Sequence, residues 1–424
     1  MHMSTSAVVA PRSTIVVGAG IVGCACALAL AGEGHRVLVL DPAAPGSGTS
    51  SGNAGGIVTG SVLPSATPAL VRSLPSMVLD PHSAAVLRPG HMLRALPWLW
   101  RFLAAARRAR VDRIAAALHA LVSRSLHSHE ALARLAQAEA LIQRPGWLKV
   151  YRTSRAFANT ALERALFERH GVEHVVLDAR QIAELEPALD PSAYTRGIFQ
   201  PRSGFVAFPR ALAQRYFDAA RARGMHYRCE RVLSIEPKAD GGVALHTDRA
   251  VHHAQAVVVA AGVWSAQLAR QIGDRVSLEA ERGYHLSFAS GTAPLLQRPV
   301  VMPEHQFVLA PMHDGIALVS GDELAGIDAP PDFRRIRALL PTARGLLPAL
   351  ADAPVQREWM GHRPSTPDSL PVIGSSPRSP SVIYAFGHGH LGLTMAGITA
   401  ELVADLVAQR APRIDLSPYR PNRF

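Results

Sequence analysis

Apolar and polar positions along this chain alternate between two periods, and the first switch between them carries the most information. A β-branched run, Ser13-Thr14-Ile15-Val16-Val17, leads into Gly18-Ala19-Gly20-Ile21-Val22-Gly23 and an Ala- and Leu-rich stretch. A second apolar run, Val37-Leu38-Val39-Leu40, then ends in Asp41, 18 residues after Gly23. This predicts strand, tight turn, helix, strand and acid, the layout of a dinucleotide-binding βαβ unit. In that layout Gly18 allows the turn, Gly20 lets the backbone approach a pyrophosphate, and Gly23 lets helix pack on strand. The helix N-terminus offers unpaired N–H groups and the positive end of its dipole to the phosphates. Asp41 is the acceptor for the ribose hydroxyls.

Further along, Gly46 to Gly56 is a Gly/Ser-rich loop, and the Pro-punctuated residues 61–90 read as irregular. From Leu93 to about Gln143 the apolar positions recur with helical period and predict two or three helices. Leu148 to Thr153 reads as a strand, Arg155 to His170 as a helix, and residues 172–187 as a strand followed by a helix. After a loop at 198–209, Arg210 to Arg223 is helical, and strands are expected at Tyr227 to Ile235, Val243 to Thr247 and Ala256 to Ala260. Short alternating runs from Glu281 to Ser320 predict an antiparallel sheet, and Phe333 to Leu347 a helix. The strand Val382 to Phe386 then runs into Gly387-His388-Gly389-His390-Leu391-Gly392 and the helix Leu393 to Ala408. Glycine turns that open helices therefore lie at both ends of the chain. A simple nicotinamide dehydrogenase needs only the first. Both are needed where the nucleotide domain is assembled from the two ends, with a substrate sheet inserted between them.

Composition narrows the function classes. Of 44 basic residues only Lys149 and Lys238 are lysine, so the net charge of +11 is carried by arginine spread along the chain, and no nucleic-acid partner is expected. The exception to that spread is Arg88 to Arg124, with eight arginines against the single acid Asp112 and the apolar stretch Leu96-Pro97-Trp98-Leu99-Trp100-Arg101-Phe102-Leu103 inside it. Two readings of this segment stand: contact with an anionic membrane surface, or a solvated helix face above a buried one. No uninterrupted apolar run approaches the roughly 18 residues of a membrane span, and Met1 to Arg12 has no long apolar core of a secretory signal. The three cysteines, Cys24, Cys26 and Cys229, suit a reducing compartment, so the expected location is cytoplasmic or peripheral at the inner membrane. No metal-ligand spacing is present.

Four blocks in order resemble the flavoenzyme family of D-amino-acid dehydrogenases, glycine oxidases and sarcosine oxidases. They are the Gly18 to Gly23 turn with Asp41; Thr49-Ser50-Ser51-Gly52-Asn53-Ala54-Gly55, like the family's loop under the flavin; Val257 to Trp264; and Gly361-His362-Arg363-Pro364-Ser365 through to Gly387-His388-Gly389-His390-Leu391-Gly392-Leu393-Thr394. The likeness covers essentially the whole chain and is nearest to bacterial D-amino-acid dehydrogenases. It implies an α/β fold: an FAD-binding Rossmann-like domain of discontinuous segments (12–75, 195–275 and 355–424) with an inserted substrate domain (76–194 and 276–354, with the helical segment 93–143) built on a mainly antiparallel sheet. It also implies cofactor contacts from Gly18, Ala19, Gly20, Ile21, Val22, Gly23, Asp41, Pro42, Thr49, Ser50, Asn53, Ala54, Gly55, Val232, Ala261, Gly262, Trp264, Gly389, His390, Leu391, Gly392 and Thr394. Relatives with covalent flavin use a C-terminal cysteine or an early-loop histidine; this chain has neither, so noncovalent FAD is implied.

The chemistry then asks little of the protein beyond binding, orientation and electrostatics. A fixed cation must hold the substrate carboxylate, and arginine does so bidentately; Arg363 matches the family arginine. Tyr284, His285 and His388 are further pocket candidates, with only one of Tyr284 and His285 able to face the pocket from a strand. Where several relatives have a lysine before Gly283, this chain has Arg282. The expected reaction is FAD-dependent oxidation of a D-amino or cyclic imino acid, with D-proline or cis-4-hydroxy-D-proline favoured and His285 or His388 as the ring-hydroxyl contact. A quinone or electron-transfer protein is expected as acceptor, because neither lysine lies in a flavin block and sarcosine oxidases use a lysine in the oxygen reaction. An oxygen-using amino-acid oxidase and a nicotinamide-dependent dehydrogenase are the alternatives.

Overall fold

The first βαβ unit forms where its pattern places it: strand Ser13–Val17, helix Ile21–Gly32 and strand Arg36–Leu40, in a computed structural model that describes residues 12–72, 85–239 and 241–424. The helix is apolar on almost every side because it is covered on almost every side. Cys24 and Cys26 are fully buried in it, and burial pushes both thiols up, Cys26 to about 12. These are inert core thiols.

Six strands make the first sheet, in the order Val372–Ser375, Val382–Phe386, Ala256–Val259, Ser13–Val17, Arg36–Leu40 and His226–Arg228. All neighbours are parallel except the first pair. The segments thus come from both ends and the middle of the chain. On one face the sheet packs against helices Ile21–Gly32, Pro209–Ala222, Gly392–Val407 and the long Arg108–Ala136. On the other it meets helix Ser265–Ile272 and a three-stranded antiparallel sheet of Val232–Pro237, Val243–Thr247 and Val251–Ala254. The stretch Gly389–Val407 is long and apolar enough to cross a membrane, yet 78% of it is buried within the fold, as befits a core helix.

The second sheet has nine strands and is mainly antiparallel. Its order is Val355–Ser365, Glu279–Phe288, Gly315–Leu324, Phe307–Met312, Val300–Met302, Trp147–Tyr151, Arg196–Gln200 and Val175–Asp178, with Ala85–Leu87 pairing alongside Gly315–Leu324.

Several boundaries differ from the pattern. Strands Arg196–Gln200 and Val355–Ser365, expected with the nucleotide-binding segments, hydrogen-bond into the nine-stranded sheet. The single strand expected at 227–235 is two strands in different sheets. They are separated by a turn that Glu230 holds by accepting from Thr247 Oγ1 and His252 Nε2, each at 2.7 Å. The helix expected at 333–347 breaks into Arg334–Ala338 and Leu340–Leu346, where Pro341 has no N–H to give. The helix expected at 155–170 is also two, Ser154–Ala158 and Ala161–His170. The segment from Leu93 resolves into two helices, Pro89–Ala105 and Arg108–Ala136. The domain boundary expected at 75/76, the irregular reading of 73–84 and the reading of Met1 to Pro11 fall outside the described residues.

Candidate active site

A cavity of about 1500 Å³ runs from the carboxyl ends of the parallel strands to the face of the nine-stranded sheet. Single small-molecule sites occupy about 300–1,000 Å³, so this one has room for a dinucleotide and a substrate together. Its floor is the glycine turn. Gly18 has φ +106°, and a Cβ there would lie 2.5 Å from the Ala260 carbonyl oxygen; a Cβ on Gly23 would lie 1.9 Å from the Gly18 oxygen. Both must be glycine for strand, turn and helix to close. Gly20 differs: the nearest atom to a Cβ there is Ser50 Oγ at 3.4 Å, and the residue borders the open cavity. Backbone can meet a ligand at Gly20.

The neighbouring loops complete a cradle for a negatively charged dinucleotide. Ser50 Oγ accepts from the Ile21 N–H at 3.0 Å, tying the second loop to the helix start. Asp41 accepts from the Ala19 N–H at 2.6 Å and the Ala43 N–H at 2.8 Å; burial pushes its carboxyl up and these amides pull it back down. Thr49 donates to the His362 carbonyl at 2.9 Å, and Thr394 to the Gly56 carbonyl at 3.0 Å, so the two distant glycine segments meet. Of the residues expected at the cofactor, all line the cavity except Gly23 and Gly55, which shape it from behind. The absence of side chains at Gly20, the amide-rich turn and the acid at the end of the second strand fit FAD.

At the far end of the cavity Arg363 lies flat over the backbone of Gly283; a Cβ on Gly283 would come within 2.5 Å of its guanidinium. Its Nη1 donates to the Gly321 carbonyl at 2.7 Å and to Asp322 Oδ1 at 2.6 Å, and reaches Glu281 Oε1 at 3.1 Å. The paired strands bring this about, since Glu281 sits directly opposite Arg363 in the register. His390 borders the same space, and burial together with Arg363 lowers it to about 4, leaving a neutral imidazole.

The three other pocket candidates fare differently. Tyr284 borders the cavity, but its hydroxyl donates to Glu323 and accepts from the Asp332 N–H, so it is committed away from the cavity. His285 is a correction. It shares the strand face of Glu281 and Gly283 but does not border the cavity: Trp359 and the loop carrying Gly52 cover it, with Nδ1 3.4 Å from the Gly52 carbonyl and Nε2 3.0 Å from Ser287 Oγ, so it supports the loop under the cofactor. His388 borders the cavity with its Nε2 bonded to Thr399 Oγ1 at 3.0 Å, and burial holds it neutral, near 3. Arg282 is fully buried and bonds the carbonyls of Gly326, Ala329 and Pro330, so its place before the glycine is structural.

The sequence alone did not single out Glu281, Asp322, Trp359 or Lys149, all of which line the cavity. Lys149 is ion-paired with Glu163. Glu281 had a local signal, an acid two residues before Gly283 on the same strand face, but Asp322 had none. The helix Pro89–Ala105 supplies Trp98, Leu99, Trp100 and Phe102 to the mouth, with Trp98 Nε1 donating to the Ser365 carbonyl at 3.0 Å.

The profile of the DAO family, described as FAD dependent oxidoreductase, matches residues 13–406. The chain is 34% identical to the D-amino-acid oxidase of Bradyrhizobium diazoefficiens over 420 residues, covering 97% of this chain and 99% of the relative. It is 34% identical to D-amino acid dehydrogenase 2 of Ralstonia nicotianae over 427 residues, covering 95% and 98%. Among solved structures it resembles glycine oxidase from Geobacillus kaustophilus, with a TM-score of 0.75 at 24% identity over 98% of this chain and 99% of the other, a likeness of fold.

Proposed function

The chain belongs to this FAD-dependent oxidoreductase family, and from that premise we propose that it oxidises the CH–NH2 group of D-amino acids, its own residues dividing the work as follows. The observation that carries the reading is Arg363, fixed in the wall of the cavity that the glycine cradle also borders. It holds the substrate α-carboxylate by charge-assisted hydrogen bonds worth about 1.5–3 kcal/mol net, and so turns the α-hydrogen toward the cofactor. Bound FAD, held noncovalently, supplies the hydride acceptor. Trp359, Phe307, Val308 and Val319 line the substrate end with apolar surface that excludes water. Family membership removes the nicotinamide alternative.

We favour a cyclic secondary amine, D-proline or cis-4-hydroxy-D-proline. The apolar wall suits ring methylenes, and His390 replaces the misplaced His285 as the group able to bond a ring hydroxyl. A site that satisfies such a group discriminates against analogues lacking it. The electrons pass to a quinone or electron-transfer protein. Lys149 supports a second reading, in which oxygen is the acceptor, because the fold brings this lysine into the cavity wall although it lies outside every flavin block. A panel of D-amino acids, D-proline and hydroxyproline isomers, run with dye under nitrogen and with oxygen alone, tests both points. The expected ranking has cis-4-hydroxy-D-proline or D-proline first and dye reduction well above oxygen consumption. A higher kcat/KM for D-alanine contradicts the ring preference, and equal rates with oxygen favour the oxidase.

At the cavity mouth, Leu93 (81% exposed), Leu96, Trp100 (75% exposed) and Leu103 form an apolar stripe on the helix Pro89–Ala105, beside the exposed Arg94 and Arg101. This face suits an anionic lipid surface, where apolar insertion and arginine attraction add. Co-sedimentation with anionic vesicles is expected, weakening several-fold in high salt and on Leu93→Glu. No binding, or equal binding to neutral vesicles, contradicts it.

A further inference from the structure

The carboxylate anchor is itself surrounded by acids. Glu281 and Arg363 each show only 17% of their side chain, and the second oxygen of Glu281 accepts from Ser365 Oγ at 2.9 Å. Asp322, on the strand Gly315–Leu324, shows 50%, and that surface faces the cavity. So one carboxylate braces the guanidinium from behind while the other presents itself to whatever Arg363 holds. In an amino acid the ammonium is attached to the carbon that carries the carboxylate. Binding one on Arg363 brings the other beside the acid at 2.6 Å from the same guanidinium.

An ammonium cannot release its α-hydrogen as hydride, because the nitrogen lone pair that must form the C=N bond is held by a proton. We propose that Asp322 receives the substrate ammonium and takes that proton. This rests on Arg363 as the carboxylate anchor. In the step an N–H bond breaks and an O–H bond forms on Asp322. The lone pair then forms C=N as the Cα–H bond breaks, and the hydrogen leaves with its electron pair to FAD. The substrate loses two electrons, FAD gains two, and the proton on Asp322 passes to water as the imino acid departs.

The groups facing Asp322 are Glu281 from the adjacent strand, Arg363 from the strand beyond it, and His390 from the turn before the C-terminal helix, with Lys149 close to His390. Glu323, next in sequence, is engaged with Arg88, Arg282 and Tyr284. Burial and the Glu281 carboxylate push Asp322 up to about 6, against the pull of Arg363. As pH rises through that value the acid becomes an acceptor, so kcat/KM rises.

The test is the pH profile of Asp322→Asn, which keeps the shape and an oxygen for Arg363. Loss of a positioned base lowers rates about 10²–10⁴-fold. The expected result is therefore at least a hundred-fold lower kcat/KM near pH 7, narrowing tenfold per pH unit as the substrate amine becomes neutral, with the acid limb near 6 gone. A loss by the same factor at every pH, or a retained acid limb, overturns the proposal. Propionate, a carboxylate without an amine, separates the underlying reading. It is expected to perturb the flavin spectrum equally in wild type and Asp322→Asn but not in Arg363→Ala. Binding that survives Arg363→Ala overturns the anchor and this proposal with it.

Discussion

Arg363→Ala is expected to lower kcat/KM for D-amino-acid oxidation by roughly 30- to 4,000-fold, the equivalent of about 2–5 kcal/mol for breaking a desolvated charge pair. The loss has two parts. The substrate carboxylate loses its bidentate donor, and Glu281 and Asp322, both within hydrogen-bond reach of Nη1, are left facing an anionic substrate without their shared cation. An unpaired buried charge is destabilising in its own right. FAD should still bind, because none of Arg363's hydrogen-bond partners belongs to the Gly18 to Gly23 turn. Arg363→Lys should recover little, since a point charge cannot serve Gly321, two acids and a planar carboxylate at once. Steady-state kinetics with full FAD occupancy decides: a value within about three-fold of wild type removes Arg363 from the site.

Gly20→Val should yield a folded, colourless protein. The space around Gly20 makes this a clean test, because a Cβ there approaches nothing nearer than Ser50 Oγ at 3.4 Å. The branched side chain would instead fill the cavity floor where the backbone must approach the pyrophosphate, at the N-terminus that favours phosphate. Gly23→Val is the contrasting case: its Cβ would lie 1.9 Å from the Gly18 oxygen, so the helix start itself cannot form. Far-ultraviolet circular dichroism and FAD content distinguish the two. Wild-type protein should release all its colour to the supernatant on acid precipitation, as expected of noncovalent FAD. A yellow Gly20→Val protein with wild-type FAD content contradicts the cradle.

The cradle was legible in the sequence because its signals are local. Gly18, Gly20, Gly23 and Asp41 sit at fixed offsets within one strand–helix–strand unit, and the geometry that demands them is made by the same unit. The C-terminal helix was legible for the same reason, through its apolar run and the glycines before it. The substrate end is built from cross-strand neighbours tens of residues apart: Glu281 opposite Arg363, and Asp322 beside both. Nothing in the spacing of a single chain encodes that register. His285 was misplaced for a related reason. Alternation puts His285 on the face of Glu281 and Gly283, but only the packing of Trp359 and the loop carrying Gly52 over it decides that it stays out of the cavity. Glu230 and Pro341 show the local limit, where one turn-forming or helix-breaking residue divided an element that its apolar pattern had joined. Lys149 entered the cavity from a strand whose neighbours in the sheet come from 196–200 and 300–302.

The most direct measurement is anaerobic mixing of the purified yellow protein with single amino acids while the visible flavin band is followed. A D-amino or cyclic D-imino acid should bleach the band in one turnover, its L-enantiomer should not, and the rate should collapse in Arg363→Ala. A flavin that stays oxidised with every D-substrate, or that is reduced equally well by the L-series, would contradict the account.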